Sequence, residues 1–270
     1  MNNMSLMKNK RGLVMGVANE RSIAWAIAKK LNEFGAEIAL TYQGEALKKR
    51  IIPLAEKINS KILLECNVEN EKDISETFKK IKKEWNNIDF VVHAIAFSNK
   101  DELKGKYLNT TKENFKKTID VSCYSFTSTA REASKLMKNG GSLLTLSYFG
   151  SEKFMPHYNV MGIAKAALES SVKYLANDLG KKKIRVNVLS PGPIKTLAAS
   201  AIGDFNYILK WNENNSPLKR NITAEEISGS ALYLLSDLSN GVTGEIHHVD
   251  SGYNIIGMKS INSPDIFEEK

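Results

Sequence analysis

The sequence predicts an α/β protein: a single doubly wound Rossmann-type domain, with a seven-stranded parallel sheet covered by helices on both faces. Three observations predict it. Seven short apolar runs, "GLVMGVA", "EIALTY", "KILLECNV", "IDFVVHAIAF", "GSLLTLSY", "IRVNVLSPG" and "GEIHHVDSG", recur along the chain. Longer segments of helical periodicity separate them, the alternation that builds a parallel sheet buried on both sides. No proline-rich, serine-rich or low-complexity linker interrupts the 270 residues, so 1–270 reads as one domain.

The first run turns into "VMGVANERSIAWAIA", where Gly16 suits a tight turn, Ala18 is small, and Ser22 with Ile23 opens a helix. A dinucleotide site needs such a turn, with helix N–H groups aimed at phosphates. The G-x-G-x-x-G fingerprint is absent, so a purely structural turn remains an alternative here. In the helix that follows, Ile23, Ile27, Leu31 and Phe34 form one stripe, and Gly35 stands where a left-handed C-terminal cap is needed. The second run ends in "TYQGE", putting Gln43 at the usual place of an adenosine ribose. Gln43 offers neither the acid that favours a free 2′-hydroxyl nor the arginine that favours a 2′-phosphate. In "HAIAFSNK", Ala94 and Ala96 flank Ile95 and leave room for a flat ring at a strand end, although Ala-Ile-Ala is equally ordinary core.

After the fifth run, ending in Ser147 and Tyr148, comes a helix taken from Tyr158 with the apolar stripe Met161, Ala164, Leu168, Val172, Leu175 and Leu179. Tyr158 and Lys165 lie on the rim of that stripe, about 20° from eclipsed and about 10 Å apart along the axis. The lysine stem leans toward the helix N-terminus, which shortens the gap. The longest irregular connection runs from Ser190 to about Thr223, with a short helical pattern near Leu197 to Trp211. Connections beyond the C-terminal ends of such strands form or cover ligand sites.

Composition narrows the function classes. The chain is 42% hydrophobic and 25% charged with 6 prolines, typical of a globular protein with a substantial core. No apolar run reaches the roughly 20 residues of a membrane-spanning helix, and "MNNMSLMKNKRG" lacks the apolar stretch of a secretory signal, so a cytoplasmic protein without membrane insertion is expected. Cys66 and Cys123 have no C-x-x-C spacing and read as reduced packing residues. His247 and His248 are adjacent on a strand and point to opposite faces; no metal site is expected. Lys plus Arg exceed Asp plus Glu by 38 to 30, a net charge of +8 that suits nucleic acid, an anionic membrane, or an acidic partner or cofactor. The basic residues are scattered, without the aromatic-interleaved stripe of a nucleic-acid binder, and a solvated lysine-rich surface accounts for them.

The turn "GVANERSIAWAIA", with "TYQGE", "HAIAF", "SYFGSEKFMPHYNVMGIAKAALE" and "PGPIKTLAASAI", makes residues 10 to 258 resemble the short-chain dehydrogenase/reductase superfamily. Within it, the chain closely resembles the bacterial NADH-dependent enoyl-acyl-carrier-protein reductases. Ordinary members carry Tyr-x-x-x-Lys, but Met161 occupies that tyrosine position, and Tyr158 matches the enoyl reductase spacing instead.

The resemblance implies a site. Tyr158 donates to the enolate oxygen formed when a hydride from NADH reaches the β-carbon of a trans-2-enoyl thioester, as a phenol of pKa about 10 can. Lys165 holds the nicotinamide ribose, Tyr148 lines the acyl site, and Ser98 touches the thioester through its backbone. Gly16, Ser22, Ile23, Gln43, Asn67, Val68, Ile95, Ile194, Lys195, Thr196, Leu197 and Ala198 contact NADH/NAD+. Asn67 stands where the family often has aspartate, and Met15 where it often has threonine. Also implied are a homotetramer, an acidic acyl carrier protein as partner, and a substrate-covering loop at about 193–222. Within that loop Ala198 to Ile208 is expected to be a mobile flap interrupted by Gly203, with Lys195, Lys210, Lys219 and Arg220 meeting the carrier. Two alternatives stand beside this: a ketone or alcohol dehydrogenase of the same fold, and a noncatalytic nucleotide-sensing or nucleic-acid-binding Rossmann protein.

Overall fold

The structure, a computed structural model, describes residues 5–197, 199 and 203–264. Each of the seven apolar runs contains one strand: β1 (Arg11–Met15), β2 (Glu37–Tyr42), β3 (Ile62–Glu65), β4 (Phe90–His93), β5 (Gly141–Leu146), β6 (Ile184–Pro191) and β7 (Ile246–Val249). They form one sheet in the order β3-β2-β1-β4-β5-β6-β7, every pair parallel. The order reverses between β1 and β4, and ligands of open α/β sheets sit outside the strand C-termini at such a reversal. Register aligns Met15 of β1, His93 of β4, Thr145 of β5 and Val188 of β6; β1 and β4 end at this level, while β5 runs on to Leu146 and β6 to Pro191.

Eight α-helices are described: α1 (Ile23–Glu33), α2 (Gly44–Lys57), α3 (Glu71–Trp85), α4 (Lys112–Ile119), α5 (Ser125–Ala133), α6 (Asn159–Gly180), α7 (Phe205–Asn215) and α8 (Ala224–Leu235). Because strand side chains alternate in direction, β1 sends Leu13 and Met15 to one face and Val14 to the other. One core joins Leu13, Met15, Val91, Leu143, Val186 and Val188 to α3, α5 and α6 through Phe78, Phe126, Leu168 and Val172. The other joins Val14, Phe90, Val92, Leu144 and Leu189 to α1, α2 and α8 through Ile27, Leu31, Leu54 and Leu234. Each fully buried aliphatic side chain contributes about 1.5–3 kcal/mol of transfer free energy, and both layers are needed to bury the sheet.

Helix ends follow local chemistry. Asn70 caps α3 by accepting from the Lys72 N–H, and Thr223 with Glu226 forms a reciprocal capping box on α8. Between α4 and α5 the chain passes through a π-helical turn, Asp120–Tyr124, which buries Val121, Ser122 and Cys123. There the Ser122 hydroxyl accepts from the Phe97 N–H at 3.0 Å and donates to the Phe97 carbonyl at 3.1 Å, tying the segment after β4 to the helix.

The helix of the long connection differs from the expectation. It spans Phe205–Asn215 rather than Leu197 to Trp211, because Asp204 adopts left-handed backbone (φ 51°) immediately after Gly203 and the helix starts beyond it. Of the expected flap, Ala198 and residues 200–202 lie outside the described residues. Its far end, Ile208, is buried in α7, so this portion is packed helix rather than loop.

His93 is fully buried at the end of β4, with Nε2 at 2.8 Å from Ser125 Oγ and Nδ1 at 3.4 Å from Thr145 Oγ1. Burial, then the nearby Lys165 charge, depresses its pKa to about 3. The native imidazole stays neutral between that value and the ordinary value near 6.5 of an unfolded chain, where the unfolded state binds the extra proton. Stability is therefore lost as pH falls through this window. The unfolding free energy from urea titrations falls between pH 7 and pH 5.5, and His93→Gln flattens that slope; equal slopes in both proteins would contradict the assignment.

Candidate active site

A cleft opens at the reversal point, over the C-terminal ends of β1 and β4. Gly16, Ser22, Ile23, Gln43, Asn67, Val68, Ile95, Lys165, Thr196 and Leu197 all line it, although they come from segments spread across most of the chain. Gly16 has φ 96°, and a β-carbon there would lie 2.1 Å from the carbonyl oxygen of Ala94. Glycine is thus required to bring the first turn against the end of β4. The Ser22 hydroxyl accepts from the N–H groups of Ala18 (3.0 Å) and Asn19 (2.9 Å) and donates to the Asn19 carbonyl (2.6 Å). It shapes the turn under the N-terminus of α1, leaving the first helical N–H groups directed at the cleft.

At the outer end, Gln43 precedes α2 and is exposed, while Val68 is buried and the Asn67 side chain accepts from the Glu69 N–H. Asn67 thereby folds its own turn. Ile194 and Lys195 instead line a neighbouring depression with Asn206 and Leu209, and Ile194 packs on the α1/α8 core. Lys195, Thr196 and Leu197 also border a groove with Asn19 and Arg21. Ala198 lies outside the described residues. Ser98 does not line the cleft: its hydroxyl is 3.1 Å from both Asn114 Nδ2 and Thr118 Oγ1. Its neighbour Phe97 lines the cleft in its place, at 44% exposure.

The phenols and the lysine are more deeply set than the rim positions expected. α6 begins at Asn159, so Tyr158 is its N-cap, and Tyr158 and Lys165 are 7% and 5% exposed. Tyr158 packs with Leu103, Val160 and Met161, and the Tyr148 ring meets it edge-on at 4.9 Å. Tyr148 itself borders a small depression with Phe154, Met155, Ile208 and Trp211, an apolar lining suited to a hydrocarbon chain. Burial is the main cause that raises both phenol pKa values well above the ordinary tyrosine value, with each ring's tyrosine neighbour, Tyr148 for Tyr158 and Tyr253 for Tyr148, adding to it. Both therefore remain protonated donors at neutral pH. The expectation of an unperturbed phenol underestimated how dry this corner is.

Lys165 Nζ donates to the carbonyl of Leu146 at 2.7 Å, rather than leaning on Tyr158. Burial lowers its pKa to about 8, against the opposing pull of Cys123 and Glu169. The sequence reading missed Glu169, whose buried carboxylate accepts from the hydroxyls of Ser147 and, at 2.6 Å, Ser151. Its signal was present as a carboxylate four residues beyond Lys165, one turn along the same helix face. Arg220 is engaged by Glu226 at 2.5 and 2.9 Å, and Lys219 donates to the Asn214 carbonyl, so neither is an unpartnered cation for docking.

The cleft at the strand reversal, with a buried lysine in its lining and a neutral phenol at the N-cap of the helix that carries that lysine, places the molecule among dinucleotide-dependent oxidoreductases of the short-chain dehydrogenase/reductase class. A family model described as Enoyl-(Acyl carrier protein) reductase matches residues 16–254. Enoyl-[acyl-carrier-protein] reductase [NADH] 1 of Rhizobium meliloti (strain 1021) is 63% identical over 261 residues, covering 97% of this chain and 96% of that protein. The corresponding NADH enzyme of Rickettsia typhi is 56% identical, covering 95% and 98%. Among solved structures, the Anaplasma phagocytophilum reductase in complex with NAD superposes with a TM-score of 0.92 at 55% identity, covering 97% and 98%. The Bacillus cereus reductase with NADP+ and indole naphthyridinone gives 0.92 at 49%, covering 94% and 99%. The chain belongs to the enoyl-(acyl carrier protein) reductase family.

Gly16→Ala should cost at least about 1–3 kcal/mol of stability, since it forces a β-carbon into backbone and left-handed strain together. Chemical denaturation measures this directly, and an undiminished midpoint would contradict the packing described.

Proposed function

We infer that the chain is an NADH-dependent enoyl-acyl-carrier-protein reductase, an oxidoreductase acting on the CH–CH group in the last step of each fatty acid elongation cycle. The observation that carries the reading is a buried Lys165 in the lining of a dinucleotide-type cleft, with a buried Tyr158 seven positions before it at the N-cap of the same helix and packed edge-on against Tyr148, in a chain of this family. The cleft fits the cofactor: Gly16 admits close approach, and α1 presents its N-terminus to the pyrophosphate.

When bound, NADH supplies the hydride that reaches the β-carbon of a trans-2-enoyl thioester. The rest falls to the chain. Tyr158 donates a hydrogen bond to the thioester oxygen as negative charge develops there, and its raised pKa keeps the proton on the phenol. Lys165 turns from the Leu146 carbonyl toward the nicotinamide ribose hydroxyls and brings a positive charge near the enolate. Tyr148 holds the acyl chain, and Phe97 and Ser98 present backbone to the thioester.

Gln43, Asn67, Val68 and Ile95 bind along the adenosine and nicotinamide halves, and Ile194, Lys195, Thr196 and Leu197 close the cofactor site from the long connection. With no arginine beside Gln43, NADH is preferred over NADPH. Relatives named for NADH support this preference; the Bacillus cereus structure with NADP+ limits it to a preference.

The acidic acyl carrier protein brings the enoyl chain to the face of the long connection, where Lys195 and Lys210 offer positive charge. Self-association as a homotetramer is supported by the exposed Ile163 and Tyr174 on α6, and a cytoplasmic setting by two buried free cysteines, Cys66 and Cys123. No described helix is long and apolar enough to cross a membrane.

The decisive experiment follows NADH absorbance with a crotonyl thioester: steady oxidation supports the reading, and none, or reduction of ketones instead, contradicts it. Tyr158→Phe should keep NADH affinity and lose roughly 10²-fold or more in turnover. Lys165→Ala should weaken NADH binding strongly in a calorimetric titration, whereas wild-type affinity would remove the ribose contact from the account.

A further inference from the structure

Three elements meet behind the cleft without an assigned reason. β5 ends in Leu146 and is followed by Ser147, a short 3-10 helix (Phe149–Ser151) follows Tyr148, and α6 packs against the short helix. Three hydrogen bonds stitch them together. Lys165 donates to the Leu146 carbonyl, and one turn further along α6 the Glu169 carboxylate accepts from Ser147, the next residue of the chain. The same carboxylate accepts from Ser151 on the far side of Tyr148. Tyr148 thus sits in a loop whose two ends are bonded to one buried carboxylate. The loop is also pressed onto the helix start: a β-carbon on Gly150 would lie 2.3 Å from the Tyr158 ring. A loop held at both ends fixes the edge-on contact of Tyr148 and Tyr158.

We propose that Glu169 is a positioning residue for this reaction: it clamps the Tyr148 loop to α6 through Ser147 and Ser151 and keeps a negative charge one helical turn from the Lys165 ammonium. The inference rests on the reductase reading of the site.

The other titratable groups facing Lys165 leave that electrostatic task to Glu169. From β4, His93 is neutral above about pH 3. From the π-helical turn, the Cys123 thiol is pushed up by burial and stays protonated. Tyr148 and Tyr158 are neutral phenols for the same reason. Glu69 lines the exposed outer end of the cleft. Burial depresses the Lys165 pKa, and Cys123 and Glu169 oppose that; because the thiol's own pKa is raised by burial, the standing opposite charge is the Glu169 carboxylate. Removing the charge while retaining the shape therefore lowers the pH at which Lys165 loses its proton.

The test uses the full chain with Glu169→Gln, Glu169→Asp and Ser151→Ala. NADH affinity is measured by fluorescence from pH 6 to 10, alongside kcat and KM with a crotonyl thioester. In Glu169→Gln, the fall of NADH affinity with rising pH sets in about one pH unit lower than in the wild type, while affinity at pH 6 is retained. Glu169→Asp restores the wild-type pH profile but not kcat, because the shorter carboxylate no longer reaches both serines. Ser151→Ala keeps the wild-type profile and loses about tenfold in kcat at unchanged KM for NADH, as expected when a reacting group is slightly misplaced.

A wild-type pH profile in Glu169→Gln overturns the proposal, and so does wild-type kcat in Ser151→Ala. The latter variant keeps the test decisive if Glu169→Gln fails to fold. If the wild type binds NADH yet reduces no enoyl thioester, the functional reading fails, and the shift of the binding profile still decides the electrostatic role of Glu169.

Discussion

The structure depends on keeping a lysine ammonium at the buried end of a parallel sheet. Desolvating a charge in a protein interior is costly unless donors and opposite charge replace water. Here the replacements come from two directions. At the end of β5 the Leu146 carbonyl accepts from Lys165, and the helix that carries the lysine also carries Glu169. The sheet matters because the register of β1 and β4 ends these strands together, opening a cleft in front of the ammonium.

That constraint explains the neutrality of everything else nearby. A histidine, two phenols and a thiol surround the site, and burial holds each in its uncharged form. A neutral phenol that does not readily ionise is suited to donating toward an oxyanion, since the donor is in place before charge develops and need not reorganise. The same dryness that depresses the lysine therefore prepares the tyrosine.

Much of the fold was legible because it rests on local signals. Seven apolar runs became seven strands, and the stripe Ile27, Leu31 of α1 and Leu168, Val172 of α6 became the two core layers. Along the cofactor cleft, residues such as Gly16, Ser22, Gln43 and Val68 converged because strand ends in a parallel sheet must gather on one edge.

What stayed hidden depends on distances across the fold. The burial of Tyr158 and Lys165 follows from the Tyr148 loop closing over them, which no helical periodicity encodes. Ser98 turned inward because Asn114 and Thr118 of α4 offer it partners, and Glu169 gains meaning only through serines some twenty residues upstream. The start of α7 was misplaced since the left-handed turn at Asp204 carries no strong sequence mark.

The titration of Lys165 itself reports most directly on this buried charge. ¹⁵N-lysine NMR across pH, with the resonance assigned by its loss in Lys165→Arg, should give a pKa of about 8 in the free protein and a higher value in the presence of NADH. An ordinary lysine value near 10.4, unmoved by NADH, would contradict both the burial of the ammonium and its engagement with the cofactor.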